Sequence, residues 1–296
     1  VARMTDLSLQ AEAAPEGGHR KSAAKQILSQ PSAVIGGAIV IFFILVAIFA
    51  PALAPFDPNA SDWLSVRQAP SALHWFGTDD LGRDILSRVV FGARASLLAG
   101  VIAVAIAIAI GVPLGLIAGY FGGLLDAAIS RCTDALLAVP FLVLAIALAA
   151  FLGASLQNAM IAIGVSAVPI FIRLTRGQVL VVKGEDYITA ARAVGVRDRD
   201  IIVHHVFPNV LAPIVVQGTI TMAVAILAEA SLAFLGLGQR PPAASWGSML
   251  DVARQFLTEA PWMAVWPGLA IVAIVLGFNL LGDGLNDALN PHRDDE

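Results

Sequence analysis

Long uncharged stretches alternate with charged ones along the chain, and this pattern predicts membrane-spanning helices. A helix needs roughly 20 apolar residues to cross about 30 Å of hydrocarbon. Residues 32–54 and 95–125 each meet this length, and the second helix is expected to stop near Gly119, before Phe121-Gly122-Gly123. Further along the chain, residues 210–236 and 261–281 are also long enough and apolar enough to span the membrane. These stretches are the first, second, fifth and sixth predicted spans.

The uncharged stretch 135–172 is too long for a single span, because at about 1.5 Å per residue one helix would be nearly twice as long as the membrane is thick. Small and polar residues at 153–158 supply a turn in its middle. The stretch therefore predicts a third and a fourth span.

The first span has an alternative interpretation as a cleaved signal peptide. Ala50-Pro51-Ala52 is a poor cleavage site because it contains a proline, and the roughly 30 polar residues in front of the apolar stretch are long for the n-region of a signal peptide. We therefore favour a retained helix.

Lysine and arginine concentrate on one side of this six-span arrangement. Twelve of the eighteen lie in the two termini and in the connections 119–134 and 173–209, which the positive-inside rule places in the cytoplasm. The predicted parts are a cytoplasmic, mostly disordered segment 1–31, a first helix 32–54, an extracytoplasmic segment 55–94, a five-helix core 95–285 and a cytoplasmic tail 286–296. Both termini are thus predicted to be cytoplasmic.

The extracytoplasmic segment predicts an amphipathic helix ahead of the second span. Thr78 is a candidate N-cap, and Asp79 with Asp80 would occupy the first helical turn. Leu81, Ile85 and Val89 then recur every four residues on one face. Such a helix is expected to lie along the membrane surface.

Composition supports an all-α membrane protein and narrows its chemistry. With 58% hydrophobic and 14% charged residues, the chain has too little polar surface for a soluble globule. A net charge of -4 gives no indication of a nucleic-acid partner. The chain contains no GxxxxGK[ST], HExxH, CxxC or GxSxG sequence, so we expect no catalysis, cofactor or metal on it. The single cysteine, Cys132, is interpreted as a small packing residue.

Some positions inside the spans predict helix contacts or a pathway. Gly111, Gly115 and Gly119 recur every four residues, a pattern that lets two membrane helices approach closely. Glu229 and Asn279 are polar candidates for lining a substrate pathway, although local pairing is the favoured interpretation of Glu229. Because the spans carry no cluster of ionisable residues, an ion-coupled carrier is disfavoured.

The cytoplasmic loop 183–209 predicts two short helices joined at a glycine. Glu185 and Asp186 bring acidic oxygens to the start of the first helix, and Gly195 suits a left-handed stop. Asp198 or Asp200 is expected to cap a second helix that ends before Pro208. The residues alone permit either a platform for a partner or an ordinary solvated loop. One face of the first helix is expected to carry Ile188, Ala191 and Val194, beside Ala190.

Thr189-Ala190-Ala191, followed by Gly195, His205 and Pro208, resembles the EAA loop of ABC importer permeases. In that family the loop forms coupling helices that dock into the ATP-binding subunit. Thr189 departs from the family, which has glutamate there. The resemblance implies a coupling role for eleven residues: Glu185, Asp186, Tyr187, Ile188, Thr189, Ala190, Ala191, Val194, Gly195, His205 and Pro208.

Three further segments resemble the C-type permease of dipeptide and oligopeptide importers. They are FGTDDLGRDILSRVVFGARASLL at 76–98, ILAEASLAFLGLG at 226–238 with SWG at 245–247, and NLLGDGLNDALNP at 279–291. The resemblance covers nearly everything after about residue 32. It implies the type I permease fold in a bacterial cytoplasmic membrane, with di- or oligopeptides as cargo.

The same resemblance implies the partners: a homologous second permease, two ATPase subunits that bind ATP and magnesium, and an extracytoplasmic substrate-binding protein. A nickel or other small-solute permease is the alternative within the family. From a different class, an ATP-independent channel or scaffold would fit the helix bundle, and a membrane enzyme ranks third.

Overall fold

The computed structural model of the chain describes residues 23–289, with side chains from residue 26 onward. Every regular element in this range is helical, and the only strand-like pairing there is an isolated bridge between Thr78 and Asp84. Most of the predicted N-terminal segment, and the tail beyond residue 289, lie outside the described residues.

Five helices of the described chain are long and apolar enough to cross a membrane. They coincide with the first, second, fourth, fifth and sixth predicted spans. The long helices are α2 (Pro31–Ile48), α4 (Ile85–Phe121), α7 (Leu156–Lys183), α10 (Phe207–Phe234) and α12 (Trp262–Leu289).

A bent pair of helices lies where the third span is predicted, and whether it crosses the membrane stays a prediction. The pair consists of α5 (Gly123–Leu137) and α6 (Phe141–Leu152), which meet at an angle of 89°. With 12 residues, α6 is about 18 Å long and too short to cross hydrocarbon alone. The Ser155 hydroxyl accepts the Asn158 N–H at 3.1 Å and begins α7, which confirms the predicted break at 153–158.

Short elements gather at the two ends of the bundle. We call the residues 55–84 and 235–260 the cap; the second part contains α11 (Trp246–Ala253) and a 3₁₀ turn (Arg254–Phe256). The opposite end carries α5 together with α8 (Asp186–Ala193) and α9 (Asp198–Ile201). We call α8, α9 and the turn between them the platform. The remaining short helices are α1 (Ala23–Ser29) and α3 (Ala50–Leu53).

The predicted surface helix beginning at Thr78 is wrong. Residues 78–84 form a turn in which the Asp79 carboxylate accepts the backbone N–H groups of Leu81 and Arg83, at 2.9 and 3.0 Å, and Gly82 has a φ of +73°. These local bonds satisfy the backbone without a helix. Asp84 is the N-cap instead, accepting the Ser87 N–H at 2.8 Å, and α4 runs on unbroken into the second span.

Charged side chains are buried in the cap as partners of one another. Asp79 contacts the guanidinium groups of both Arg83, at 2.6 Å, and Arg88, at 3.3 Å, and all three are almost fully buried. Burial raises the pKa of the neighbouring Asp80 carboxyl, and repulsion from Asp79 adds to the effect. The cap is therefore a folded unit held by paired charges, as buried charges require.

Close helix contact is greatest between α4 and α7, where the predicted glycine stripe faces the partner helix. A Cβ atom added to Gly111, Gly115 or Gly119 would lie 2.6 to 2.7 Å from a Cβ atom of α7. Only glycine permits this approach. The facing side chains belong to Phe171, Thr175 and Val179.

Cys132 lies on α5 and is exposed, so its predicted role as a packing residue is wrong. The helix α5 rests on the platform end of the bundle with few buried positions; Thr133 is its only residue classed as buried. Because most of α5 is not covered by other helices of this chain, an apolar side chain on it can remain exposed.

Candidate functional site

Two residues separate the end of the long helix α7 at Lys183 from the start of the platform at Asp186. Gly195 closes α8 with a φ of +80°, which confirms the predicted left-handed stop. The Val196 N–H donates to the Ala191 carbonyl at 3.1 Å, and the Gly195 N–H to the Arg192 carbonyl at 3.0 Å. These two bonds satisfy carbonyls that the helix end would otherwise leave free.

The start of α8 carries acidic side chains but has no capping hydrogen bond from a side chain. Glu185 occupies the N-cap position, but its side chain makes no hydrogen bond to the helix. Asp186 lies in the first turn. Their contribution is therefore electrostatic, through the partial positive charge of the free N–H groups.

The inner side of the platform is fixed to the bundle by apolar contacts. Ile188 of α8 and Ile201 of α9 are fully buried and belong to the same apolar cluster as Val206, while Ala191 is half-buried against it. Burying an isoleucine side chain stabilises a fold by about 1.5 to 3 kcal/mol. The two isoleucines therefore anchor both short helices.

The outer side of α8 is uncovered. Val194 is 79% exposed, so the prediction that Ile188, Ala191 and Val194 share one face is wrong. Each residue turns an α-helix by about 100°, so positions six apart point about 120° away from each other. The exposed residues of α8 and its C-cap are Asp186, Tyr187, Thr189, Ala190, Arg192, Ala193 and Val194.

The second platform helix does not end before Pro208, contrary to the prediction. It begins at Asp198 without a side-chain cap, passes through a π-helical turn at Ile202–Val206 and continues into α10. Pro208 lies within the first two residues of α10. A proline lacks the N–H and crowds the carbonyl four residues earlier, and the wider π turn leaves room for the ring without breaking the helix. The platform is thus continuous with a membrane-spanning helix.

A small polar contact ties the start of α10 back to α8. The Asn209 side-chain amide donates to the His205 carbonyl at 2.5 Å and to the Tyr187 hydroxyl at 3.3 Å. His205 is half-buried and Pro208 is exposed.

Tyr120, at the end of α4, meets the platform and was missed by the sequence reasoning. Its hydroxyl donates to the Asp198 carboxylate at 2.6 Å, and its ring lies 5.0 Å from the guanidinium of Arg192. Its carbonyl accepts the Lys183 ammonium at 2.6 Å. An aromatic residue at the membrane end of a span is a weak signal, because aromatic side chains are common there.

The two candidate pathway residues lie apart from the platform. Glu229 is fully buried between α10 and α4, where its Oε2 accepts the Ser96 hydroxyl at 3.1 Å. Asn279 is exposed on α12. The arrangement places Glu229 in a helix contact.

A cavity of about 390 Å³ opens between α7, α10 and α12 in the half of the bundle nearer the platform. Its polar lining consists of amide side chains, from Gln178, Gln217 and Asn286, and none of the lining residues within the described range 23–289 is charged. Amides both donate and accept hydrogen bonds without fixed charge, which suits uncharged polar groups such as peptide bonds.

Residues 111–295 match the family described as "Binding-protein-dependent transport system inner membrane component". Residues 20–70 match the family described as "N-terminal TM domain of oligopeptide transport permease C". The first match includes the whole platform and the helices on either side of it.

Named relatives resemble the chain over most of its length. A dipeptide transport system permease protein of Alkalihalophilus pseudofirmus is 51% identical over 92% of this chain and 89% of its own. A glutathione transport system permease protein of Shigella flexneri is 48% identical over 88% of this chain and 87% of its own. A probable D,D-dipeptide transport system permease protein of Escherichia coli is 44% identical over 88% of this chain and 88% of its own.

A solved structure shares the fold. A chain of the MetNI methionine ABC transporter, in an inward-facing conformation, superposes with a TM-score of 0.57 at 21% identity, covering 67% of this chain and 94% of its own.

Proposed function

Because the chain belongs to the family of binding-protein-dependent transport system inner membrane components, we propose that it is the permease subunit of an ABC importer for short peptides. The chain is a multi-pass membrane protein, and its bundle supplies part of a passage across the bilayer. The cargo is proposed from the relatives, which are named for dipeptides, D,D-dipeptides and glutathione, itself a small peptide. The uncharged amide lining beside α10 is compatible with such cargo.

The proposed assembly contains this chain, a homologous second permease, two ATPase subunits and an external substrate-binding protein. ATP and magnesium are bound by the ATPases, and this chain is not catalytic. We place the platform and both termini in the cytoplasm, following the excess of lysine and arginine on that side. The cap then faces the binding protein.

The division of α8 into two sides is the observation that carries the proposal. Its inner side is buried through Ile188, whereas its exposed side presents the small residues Thr189 and Ala190 between the charged Asp186 and Arg192. Small side chains let a partner subunit approach closely, and the anchored inner side passes any displacement to the bundle. The ATPase is therefore proposed to contact Ala190 and its exposed neighbours.

Replacement of Ala190 tests this contact. In the complex reconstituted with all partner subunits, Ala190→Trp is expected to leave membrane insertion intact but to abolish peptide uptake and the stimulation of ATP hydrolysis by loaded binding protein. Ala190→Ser, which keeps the side chain small, is the matched control and should retain both activities. Normal uptake by Ala190→Trp would show that this side does not touch the ATPase.

A second experiment addresses the ATP-independent channel. Proteoliposomes that contain only this chain are expected to take up no labelled dipeptide, because the passage requires the second permease and the ATPases. Uptake by this chain alone would favour a channel.

A further inference from the structure

Tyr120 of α4 contacts three other helices through one side chain and its carbonyl: α7 and the two platform helices, α8 and α9. We infer that Tyr120 is a positioning residue that transmits displacement of the platform to the membrane-spanning helix α4. The inference rests on the proposed contact between the platform and an ATPase, and it adds a residue outside the EAA-like loop.

The link between Tyr120 and α9 is short and directional. The phenol is 3% exposed, and its hydroxyl donates to a carboxylate oxygen of Asp198 at 2.6 Å. Hydrogen bonds to an ionised acceptor are shorter and about twice as strong as neutral ones. The bond therefore fixes the position of α9 relative to the end of α4.

Two cations attach the same residue to α7 and α8. The Lys183 ammonium, on the last residue of α7, donates to the Tyr120 carbonyl at 2.6 Å. The Arg192 guanidinium, on α8, lies 5.0 Å from the centre of the Tyr120 ring, within the range of a cation–π contact. The ends of four helices thus converge on Tyr120.

Apart from the hydrogen bond from Asn209 of α10 to Tyr187 of α8, the platform is held to the bundle mainly by apolar contacts. Ile188 and Ile201 are held by apolar burial, which depends on area and has no preferred direction. The hydrogen bond to Asp198 adds a directional contact between the platform and α4, so a lateral displacement of α9 is carried to α4 through it.

Gly119, the residue before Tyr120 on α4, packs against a second helix, α7. A Cβ atom on Gly119 would stand 2.7 Å from the Cβ of Val179, so no gap separates α4 from α7 at this level. Closely packed surfaces transmit displacement because their atoms cannot interpenetrate. Movement at Tyr120 is therefore shared by both spans.

Tyr120→Phe isolates the proposed link, because it removes only the hydroxyl and keeps the ring under Arg192 and the carbonyl for Lys183. The measurement uses the complex reconstituted with all its partners, with dialanine as the labelled cargo, and reports cargo taken up per ATP hydrolysed. We expect this ratio to fall, because ATP is then hydrolysed without the displacement of the platform reaching α4. The amount of assembled complex should not change.

Asp198 provides the matched tests. Asp198→Ala should lower the transport ratio as Tyr120→Phe does, and the double variant should be no worse than either single one, because both remove the same bond. Asp198→Asn keeps an acceptor oxygen for the phenol and should recover most of the ratio. A purely structural role for Tyr120 would instead lower the yield of complex and leave the ratio unchanged.

The outcomes separate this inference from the proposed function. If Ala190→Trp uncouples transport while Tyr120→Phe and Asp198→Ala keep a normal ratio, the role of Tyr120 is wrong and the platform contact stands. If Ala190→Trp transports normally, the proposed contact itself fails. Additive losses in the double variant would also overturn the role, because the two residues would then act separately.

Discussion

Gly115 of α4 faces Thr175 of α7 so closely that a Cβ atom on the glycine would stand 2.6 Å from the Cβ of the threonine. The same added atom would lie 2.8 Å from the backbone carbonyl oxygen of Ile172. A backbone atom cannot rotate away as a flexible side chain can, so any larger residue must push the helices apart. This contact lies midway along the stripe that begins at Gly111 and ends at Gly119.

Gly115→Ala is expected to destabilise the subunit by about 1 to 3 kcal/mol, the usual cost of overpacking a tight contact. Gly177→Ala on α7 is the control, since an added Cβ there meets nothing within 4 Å and alanine favours the helix. Thermal unfolding of the purified complex in detergent measures both variants. Equal stability of the two would contradict the close contact.

Two ion pairs join the α5–α6 region to α7 and differ in burial. Arg176 and Asp126 form a bidentate pair whose side chains are 35% and 19% exposed, whereas those of Arg173 and Asp134 are 64% and 62% exposed. Solvent weakens exposed pairs. Asp126→Asn should therefore cost about 1 kcal/mol, and Asp134→Asn less than about 0.5 kcal/mol. Exchanging the charges at 126 and 176 should restore part of the loss, and a larger effect at Asp134 would refute the ranking.

The proposed orientation is tested by labelling exposed thiols with a membrane-impermeant maleimide. Cys132 is exposed at the platform end and should react only after the membrane is permeabilised. Ser61 is exposed in the cap, so Ser61→Cys in a Cys132→Ser background should react in intact spheroplasts. Ser245, also in the cap, is buried and unsuitable. The reverse pattern of reaction would invert the topology.

Hydropathy alone predicted the membrane helices, because the length of an apolar stretch is a property of the chain itself. Hydropathy also predicted the break before Ser155, because small and polar residues interrupt the apolar stretch there. A helix boundary at Pro140 follows from the proline itself, but the size of the bend between α5 and α6 was not predicted. Its 89° angle depends on how α5 rests on α7, and that contact is made by residues distant in sequence, such as Asp126 and Arg176.

The platform was predicted in position but not in orientation. Gly195 carries a local signal, because a left-handed residue favours glycine whatever surrounds it. Which side of α8 is buried depends on its contacts with the bundle. Ile188 and Val194 are both apolar, but the folded chain buries Ile188 and leaves Val194 exposed. Tyr120 and Asp198 are separated by 78 positions, so nothing local relates them.

Asp84 has two roles in the cap, and replacing it should cost more than the loss of an ordinary helix cap. Its carboxylate accepts the Ser87 N–H at 2.8 Å and lies 3.0 Å from Nδ1 of His74, which is itself buried. Asp84→Ala removes the cap, a loss of about 1 kcal/mol, and leaves a buried ring nitrogen unpaired for about 1 to 3 kcal/mol more. Ser155→Ala removes only the cap of α7 and is the matched control. Asp84→Asn keeps an oxygen for the cap, so its loss of stability should lie between those of Asp84→Ala and Ser155→Ala. Thermal unfolding of the assembled complex measures all three variants. If Asp84→Ala were no less stable than Ser155→Ala, the histidine contact would contribute nothing to the cap.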